Sequence, residues 1–289
     1  MNYKIEYKNT LDLFDANLRT YFGDGGFATL DKGMEYSLFS GGKRIRPVIM
    51  LQSGKMFNAS ENAVLPFAAA LEMIHTYSLI HDDLPCMDND SLRRGIPTNH
   101  MIFGEGNAVL NGDSLLNLAF ETMLNAISDK KTLEASRFIA KSSGRKGMCS
   151  GQCADLYFEK KHAELKDIEY INANKTGAIL KSCFVVGGIL GDATEDELTK
   201  FELFGQKFGE LFQLTDDLLD KNGDESVVGK TLGKDESVDK SSIVNIYGIS
   251  KAKEMVIKFG NECLEILNSI SRNTEFFNKL VIDTEKRQF

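Results

Sequence analysis

The chain contains no tryptophan, four prolines and four histidines in 289 residues. The prolines are Pro47, Pro66, Pro85 and Pro97, and none follows. Proline removes a backbone donor and clashes with the preceding turn, so its absence from the rest of the chain permits long helices. Apolar–polar alternation of the strand type is also missing. Apolar residues recur instead at three- and four-residue spacing, which marks helices. These absences leave an all-α reading. No internal repeat, low-complexity linker or composition shift divides the chain, so a single domain over 1–289 is expected.

Five cysteines (Cys86, Cys149, Cys153, Cys183 and Cys263) are too scattered for a disulfide framework and form no Cys-x-x-Cys pair. Such a set suits reduced thiols, and a cytoplasmic location is expected. The histidines lack zinc spacing. Basic charge is in deficit, with a net charge of −8, which excludes a nucleic-acid partner held by phosphate neutralisation. Met1–Asn17 is polar and mixed in charge, unlike a signal peptide. No apolar run approaches the ~20 residues of a bilayer span, so no membrane span is expected.

Acid is present in two blocks. Asp82, Asp83, Asp88 and Asp90 fall within nine positions, after the nearly wholly apolar run Leu65–Ile80 and just before Arg93 and Arg94. Carboxylates emerging from a buried helix cost several kcal/mol or take up protons unless something cationic meets them. Hard oxygen ligands of this kind suit Mg²⁺. The second block is Asp216, Asp217 and Asp220. Phe208, Phe212, Asp216 and Asp220 step by four residues, so these carboxylates extend the edge of an apolar stripe that includes Phe201, Phe204 and Leu211. One such block reads as an acidic helix end, whereas two point to a shared metal site.

Helices are expected over Leu11–Tyr21, Gly33–Ser40, Pro47–Met56, Val64–Asp83, Asn107–Ala126, Lys131–Lys146, Leu165–Gly187, Asp196–Asp220, Lys251–Ser271 and Glu275–Thr284. Lys221–Ser242 has no helical periodicity and carries Gly223, Gly229 and Gly233 with Lys221, Lys230, Lys234 and Lys240. A loop of that length is expected to act as a lid or to be disordered.

In the first acidic block, His75, Ser78 and Asp82 share nearly one helix face, with His75 ~10.5 Å from Asp82 along the axis. Pro85 denies the helix a donor, so a kink is expected that returns Asp88 toward Asp82. A lone histidine in an apolar helix ordinarily packs in the core. Upstream, Ser40-Gly-Gly-Lys-Arg-Ile-Arg-Pro47 is a small-residue turn followed by cations. Lys43 and Arg46 suit a phosphate, by charge and by bidentate hydrogen bonding. Arg93 with Arg94, and Lys175 with Thr176, are further cationic sites. Acid for metal and cations for phosphate together suggest a diphosphate substrate whose leaving group is drawn off by metal.

These motifs resemble those of the trans-isoprenyl diphosphate synthases. Asp82-Asp-x-x-x-x-Asp88 with Leu92-Arg-Arg-Gly95 resembles their first aspartate-rich motif in its bacterial form. Asp216-Asp-Leu-Leu-Asp220 after Phe212-Gln213 resembles the second. Gly41-Gly-Lys-Arg-x-Arg-Pro47, Ile74-His75, Gly151-Gln152 with Asp155, Lys175-Thr176 and Gly229-Lys230 follow in family order, from about Ser37 to Lys240. Bacterial farnesyl diphosphate synthases are the most similar branch.

The resemblance implies a bundle of ten or more helices around a deep central cavity, and a homodimer. It implies Mg²⁺, three ions with Mn²⁺ as an alternative, held by Asp82, Asp83, Asp88, Asp216, Asp217 and Asp220, of which Asp82, Asp88 and Asp216 are the direct ligands. It assigns Arg93, Lys175, Lys230 and Lys240 to an allylic diphosphate (dimethylallyl or geranyl), with Thr176 and Gln213 near the reacting carbon. Lys43, Arg46, His75 and Arg94 would hold isopentenyl diphosphate. Tyr77 and Ser78, the fifth and fourth positions before Asp82, would set chain length, and an aromatic floor at Tyr77 favours a C15 product. Leu84-Pro-Cys-Met resembles plant geranylgeranyl diphosphate synthases, which keeps a C20 product as the alternative. A terpene cyclase would not need Lys43, Arg46 and His75. A non-catalytic partner subunit would be expected to lose motif residues that are all present here. No role is assigned to the basic ending Glu285-Lys-Arg-Gln-Phe289.

Overall fold

Helix begins earlier than the polar N-terminus suggests. In a computed structural model, which describes residues 2–23, 25–159, 161, 163–222 and 243–287, α1 spans Tyr3–Phe22 rather than starting at Leu11. Its first turns are held by aromatic packing, with the Tyr3 ring 5.2 Å from Phe276 and 6.0 Å from Tyr7. The chain continues through α2 (Ala28–Leu38), α3 (Ile45–Met56), α4 (Glu61–Asp82), α5 (Asn99–Phe103), α6 (Glu105–Asn125) and α7 (Lys130–Ser143). It then forms α8 (Met148–Phe158), α9 (Leu165–Asn172), α10 (Ala178–Leu190), α11 (Glu195–Asn222), α12 (Ile243–Asn268, broken at Gly248) and α13 (Glu275–Lys286). The all-α expectation holds, with one addition. Leu92–Arg93 (β1) pairs antiparallel with Ile96–Pro97 (β2) across the turn residues Arg94 and Gly95, both at positive φ.

Other expectations need correction. α5 and α8 lie outside the expected helices. The long helix expected over Leu165–Gly187 is interrupted at Ala173–Gly177 by one turn of π-helix. Of the expected loop from Lys221, Lys221 and Asn222 belong to α11, and residues 223–242, with Gly229, Lys230 and Lys240, lie outside the described residues.

Local chemistry explains the helix starts. Ser60 accepts from the Ala63 amide at α4, and Asp129 with Thr132 closes a reciprocal cap on α7. The core is continuous from Phe14 of α1 to Val281 of α13. Its aromatic centre joins Phe184 of α10 to Phe201, Phe204 and Phe208 of α11 and Phe277 of α13, at ring separations of 4.8 to 5.7 Å from Phe184. Edge-to-face pairs of this kind each add about 0.5–1.5 kcal/mol beyond area burial.

By length and composition α4 could cross a bilayer, contrary to the expectation that no segment approaches that limit. However, 72% of its apolar window is buried inside the protein, so the core already uses that surface. A cavity of about 830 Å³ opens between the end of α1, Gly25 and Gly26, and α6. No aspartate of either acidic motif lines it, so the site must be built from the motifs themselves.

Candidate active site

The end of α4 does fold back as Pro85 requires. The Asp88 amide donates to the Asp82 carbonyl at 2.8 Å, and Asn89 and Asp90 donate to Leu84 and Asp83. Asp82 and Asp88 therefore flank one another. Burial raises the Asp82 pKa to about 6; Lys175 and Arg93 oppose the shift, while the charges of Asp88 and Asp83 add to it. Asp83 takes a different course. It is 3% exposed and receives both Nε and Nη2 of Arg93, at 2.8 and 2.6 Å. Burial alone would lower Arg93, but the hydrogen bonds and charge of Asp83, with Asp82 and Asp90, raise it.

The π-turn positions the next cation. Gly151 of α8 lies so close to it that a Cβ there would come within 2.1 Å of the Lys175 backbone nitrogen. Only glycine permits this approach, and it sets Lys175 Nζ 2.6 Å from Asp155 of α8. π-turns are rare and frequently occur at functional sites. Thr176 occupies the same turn. Gly177 then meets Gly209 of α11, where a Cβ would stand 3.1 Å from the Gly177 Cα. That contact sets α11 beside the π-turn, two turns before Asp216. Further along α11, Gln213 Nε2 donates to Asp217 Oδ1 at 2.9 Å, Asp216 is half-buried and Asp220 is exposed.

The basic turn splits its cations between two environments. Gly41 and Gly42 adopt φ of 81° and 124°, and Arg44 follows in the left-handed region at 46°. This geometry turns Arg44 inward, 2.7 Å from Glu72 with both side chains 2% exposed. Lys43 remains exposed, with its pKa lowered by burial and by Arg287 and partly restored by Asp216. Arg46 places Nη1 3.2 Å from His75 Nε2. A guanidinium can only donate, so His75 accepts through Nε2, and a neutral ring then carries its proton on Nδ1. Burial and the neighbouring Arg46, Arg94, Arg93 and Arg44 push the His75 pKa well down, which keeps the ring neutral. Arg46 Nε is buried without a hydrogen-bond partner. Arg94, also at positive φ, donates to Ser40 Oγ and to the Gly41 carbonyl. Ser78 bonds the His75 carbonyl at 2.9 Å. Tyr77 is 7% exposed, with its ring edge-on to His81.

The structure thus joins Asp82, Asp83, Asp88, Arg93 and Lys175 in one group and Arg46, His75 and Arg94 in another, while Lys43 on the basic turn is influenced instead by Arg287, Asp216 and Asp283. The charge of Asp216 on α11 reaches Lys43 and raises its pKa. Two residues escaped the sequence reading. Glu72 had no charged neighbour in sequence to reveal it as the Arg44 partner. Arg287, from the ending given no role, stands 5.3 Å over the Phe212 ring and within electrostatic reach of Lys43.

The residues fit a divalent cation. The donors are hard carboxylates, and Asp82, desolvated beside Asp88, gains from a nearby positive charge. Among the described residues, no three Asp, Glu, His or Cys side chains converge on one ion position. Mg²⁺ usually takes one or two carboxylates and completes its shell with phosphate oxygens and water.

The polyprenyl synthetase family model matches residues 28–276. The chain belongs to the polyprenyl synthetase family. The chain is 43% identical over 242 residues to geranylgeranyl pyrophosphate synthase 4 of Arabidopsis thaliana, a match covering 82% of the chain and 65% of that relative, just under two thirds of its length. It is 40% identical to the farnesyl diphosphate synthase of Bacillus subtilis, over 87% of the chain and 86% of the relative. Its fold superposes with a TM-score of 0.87 on an FPP/GFPP synthase from Zymomonas mobilis, at 31% identity over 98% of the chain and 99% of that structure. A geranyltransferase from Helicobacter pylori, crystallised with magnesium and isoprenyl diphosphate, superposes with a TM-score of 0.85 at 29% identity over 99% of the chain and 97% of that structure.

Proposed function

We propose that this polyprenyl synthetase condenses isopentenyl diphosphate head-to-tail with dimethylallyl and then geranyl diphosphate to give farnesyl diphosphate. The observation that supports this reading is the presence of two separate cation-bearing groups. One is the Arg46–His75 pair with its unsatisfied buried Nε, and the other is the Lys175–Asp82–Asp88 group. A cyclase, with one diphosphate substrate, has no use for the first.

In this reading Arg46 binds the isopentenyl diphosphate through Nε, while Lys43 and Arg287 add charge from the turn and the C-terminal helix. Neutral His75 accepts from Arg46 and fixes its fork. Lys175 and Arg93 bind the allylic diphosphate, joined by Lys230 and Lys240 from outside the described residues. Thr176 and Gln213 stand beside the reacting carbon. Asp82, Asp88 and Asp216 hold the metal, with Asp83, Asp217 and Asp220 in support. Mg²⁺, or Mn²⁺ in its place, would stabilise charge on the departing diphosphate and remove the repulsion among these carboxylates. Preorganised charge of this sort lowers the barrier to allylic ionisation without a side-chain nucleophile. Tyr77 closes the far end of the chain's path and helps exclude water.

A homodimer in the cytoplasm completes the proposal. The dimer is supported by Met101, Ile102, Val109 and Leu110, which stand 57%, 50%, 40% and 56% exposed on α5 and α6. A C20 product is the second reading, favoured by the identity to the Arabidopsis enzyme. The buried Tyr77 favours C15.

Incubation of the purified chain with Mg²⁺, isopentenyl diphosphate and dimethylallyl diphosphate, with products separated by length, tests both. C15 is expected. C20 would replace the product assignment and keep the chemistry, and the absence of condensation by folded protein would overturn the enzyme reading.

A further inference from the structure

The α7–α8 junction presents one thiol to the helix that carries the proposed chain-length residues. Cys149, on α8, places Sγ 3.1 Å from the carbonyl of Ser143 and 3.7 Å from the hydroxyl of Tyr77 on α4. A carbonyl can only accept, so the thiol proton points to Ser143, whose C=O is one of the unsatisfied carbonyls at the end of α7. Tyr77 must then donate its own proton to the sulfur. The three groups form one directed chain, Tyr77 O–H to Cys149 S–H to Ser143 C=O. It ties α4 to the α7–α8 turn, and linked hydrogen bonds strengthen one another.

The turn fixes the position of the sulfur. Gly147 donates to the Gly144 carbonyl at 3.0 Å, and a Cβ on Gly147 would lie 2.0 Å from the Ser142 carbonyl oxygen. Tyr77 is held at two points, its ring edge-on to the His81 ring with centroids 5.7 Å apart and its hydroxyl on Cys149. Burial, Cys149 and Asp82 all push the phenol pKa up, so the hydroxyl stays protonated and able to donate. Cys149 is itself exposed, and without its sulfur the hydroxyl of the buried Tyr77 would lose its protein partner, so the ring would be free to leave this rotamer for one that reaches water.

We propose that Cys149 is a positioning residue for product length: by receiving the Tyr77 hydroxyl it locks the aromatic ring across the path of the growing prenyl chain. This rests on the proposed reading of Tyr77 as the floor. The polar anchor lies on a different helix from the floor residue, so the depth of the path depends on how α8 sits against α4. The side chain at position 149 can therefore change product length with the residues before Asp82 unaltered.

The test compares products of the full-length wild type with those of Tyr77→Ala, Tyr77→Phe, Cys149→Ala, Cys149→Ser and the Tyr77→Phe/Cys149→Ala double variant. All are assayed with Mg²⁺, dimethylallyl diphosphate and excess isopentenyl diphosphate. The readout is the ratio of chains longer than the wild-type product to the wild-type product. Tyr77→Ala should raise it most. Cys149→Ala and Tyr77→Phe should each raise it about fivefold, the factor corresponding to one ordinary hydrogen bond. The double variant should go no further than the larger single effect. Cys149→Ser, which keeps a donor and an acceptor at the same place, should restore the wild-type ratio and keeps the test valid if the alanine variant folds poorly.

A Cys149→Ala enzyme with the wild-type distribution, beside a Tyr77→Ala enzyme making longer chains, would overturn the role of Cys149 and leave the floor standing. An unchanged product from Tyr77→Ala would overturn the floor and the anchor together. Additive effects in the double variant, or slower turnover at an unchanged ratio, would reduce the contact to ordinary packing and overturn the proposal.

Discussion

The backbone amide of Asp88 donates to the carbonyl of Asp82 at 2.8 Å, and this single bond gathers the first acidic motif. It closes a loop around Pro85, so that Asp82 on the helix and Asp88 beyond it lie side by side. Asp83, between them in sequence, turns instead to Arg93. The motif therefore divides its labour. Asp82→Asn and Asp88→Asn should each lower turnover by about a hundredfold or more, with unchanged helical circular dichroism. Asp83→Asn should in addition loosen Arg93, raising the KM for the allylic substrate. Full activity in Asp82→Asn would remove the metal-site argument.

Metal removal gives a second expectation. Chelation with EDTA should abolish condensation, and excess Mg²⁺ or Mn²⁺ should restore it. Turnover that survives chelation would contradict the assignment of both aspartate motifs.

Arg46 differs from Arg44 although the two are neighbours in one motif. Arg46→Lys keeps the charge but loses the fork that spans His75 and the open Nε position. It should raise the KM for isopentenyl diphosphate about tenfold or more, with little change in that for the allylic partner. Equal changes in both would show that Arg46 does not distinguish the two sites.

Arg44 and Glu72 form a buried pair at 2.7 Å. Removing Glu72 takes away the buried partner and leaves Arg44 only Asp15 at 3.3 Å and the Leu38 carbonyl, and breaking a buried pair costs up to about 3–5 kcal/mol. Glu72→Ala should therefore lower the unfolding free energy by up to that amount, read from denaturant titration. A loss below about 1 kcal/mol would show that water reaches Arg44.

Acid should release a clasp at the far end of α11. Glu197 accepts from the Thr194 amide, and Arg272 of the α12–α13 turn donates to it at 2.6 Å. The Arg272 hydrogen bond, then the Thr194 amide, draw its pKa from 4.5 down to about 2. A carboxylate depressed in the folded state stabilises fully above its unfolded value and loses that contribution as pH falls toward the folded one. The stability difference between wild type and Glu197→Gln should thus be constant above about pH 5, fall as pH drops through the folded value near 2, and vanish by about pH 1. It should also shrink with added salt, because the pair lies near the surface. A difference that persists in full at about pH 1 would rule out the charge.

The sequence by itself determined the helical class, the two acidic motifs on helix ends and the cationic turn. Each of these is a local matter: periodicity places residues on a face, and charge beside an apolar run demands a partner. It also placed the kink after Asp83, since a missing proline donor is a property of one residue. Tertiary structure alone decided the pairings. Arg44 and Arg46 are equivalent cations until left-handed backbone at Arg44 sends one to Glu72 and leaves the other at His75. The π-turn that aims Lys175 arises from packing against Gly151 on another helix, and helical periodicity carries no trace of it. Arg287 reached Phe212, and Tyr77 reached Cys149, only because distant helices were brought together. Such contacts depend on how faces are apposed across the core, which spacing along one segment does not encode.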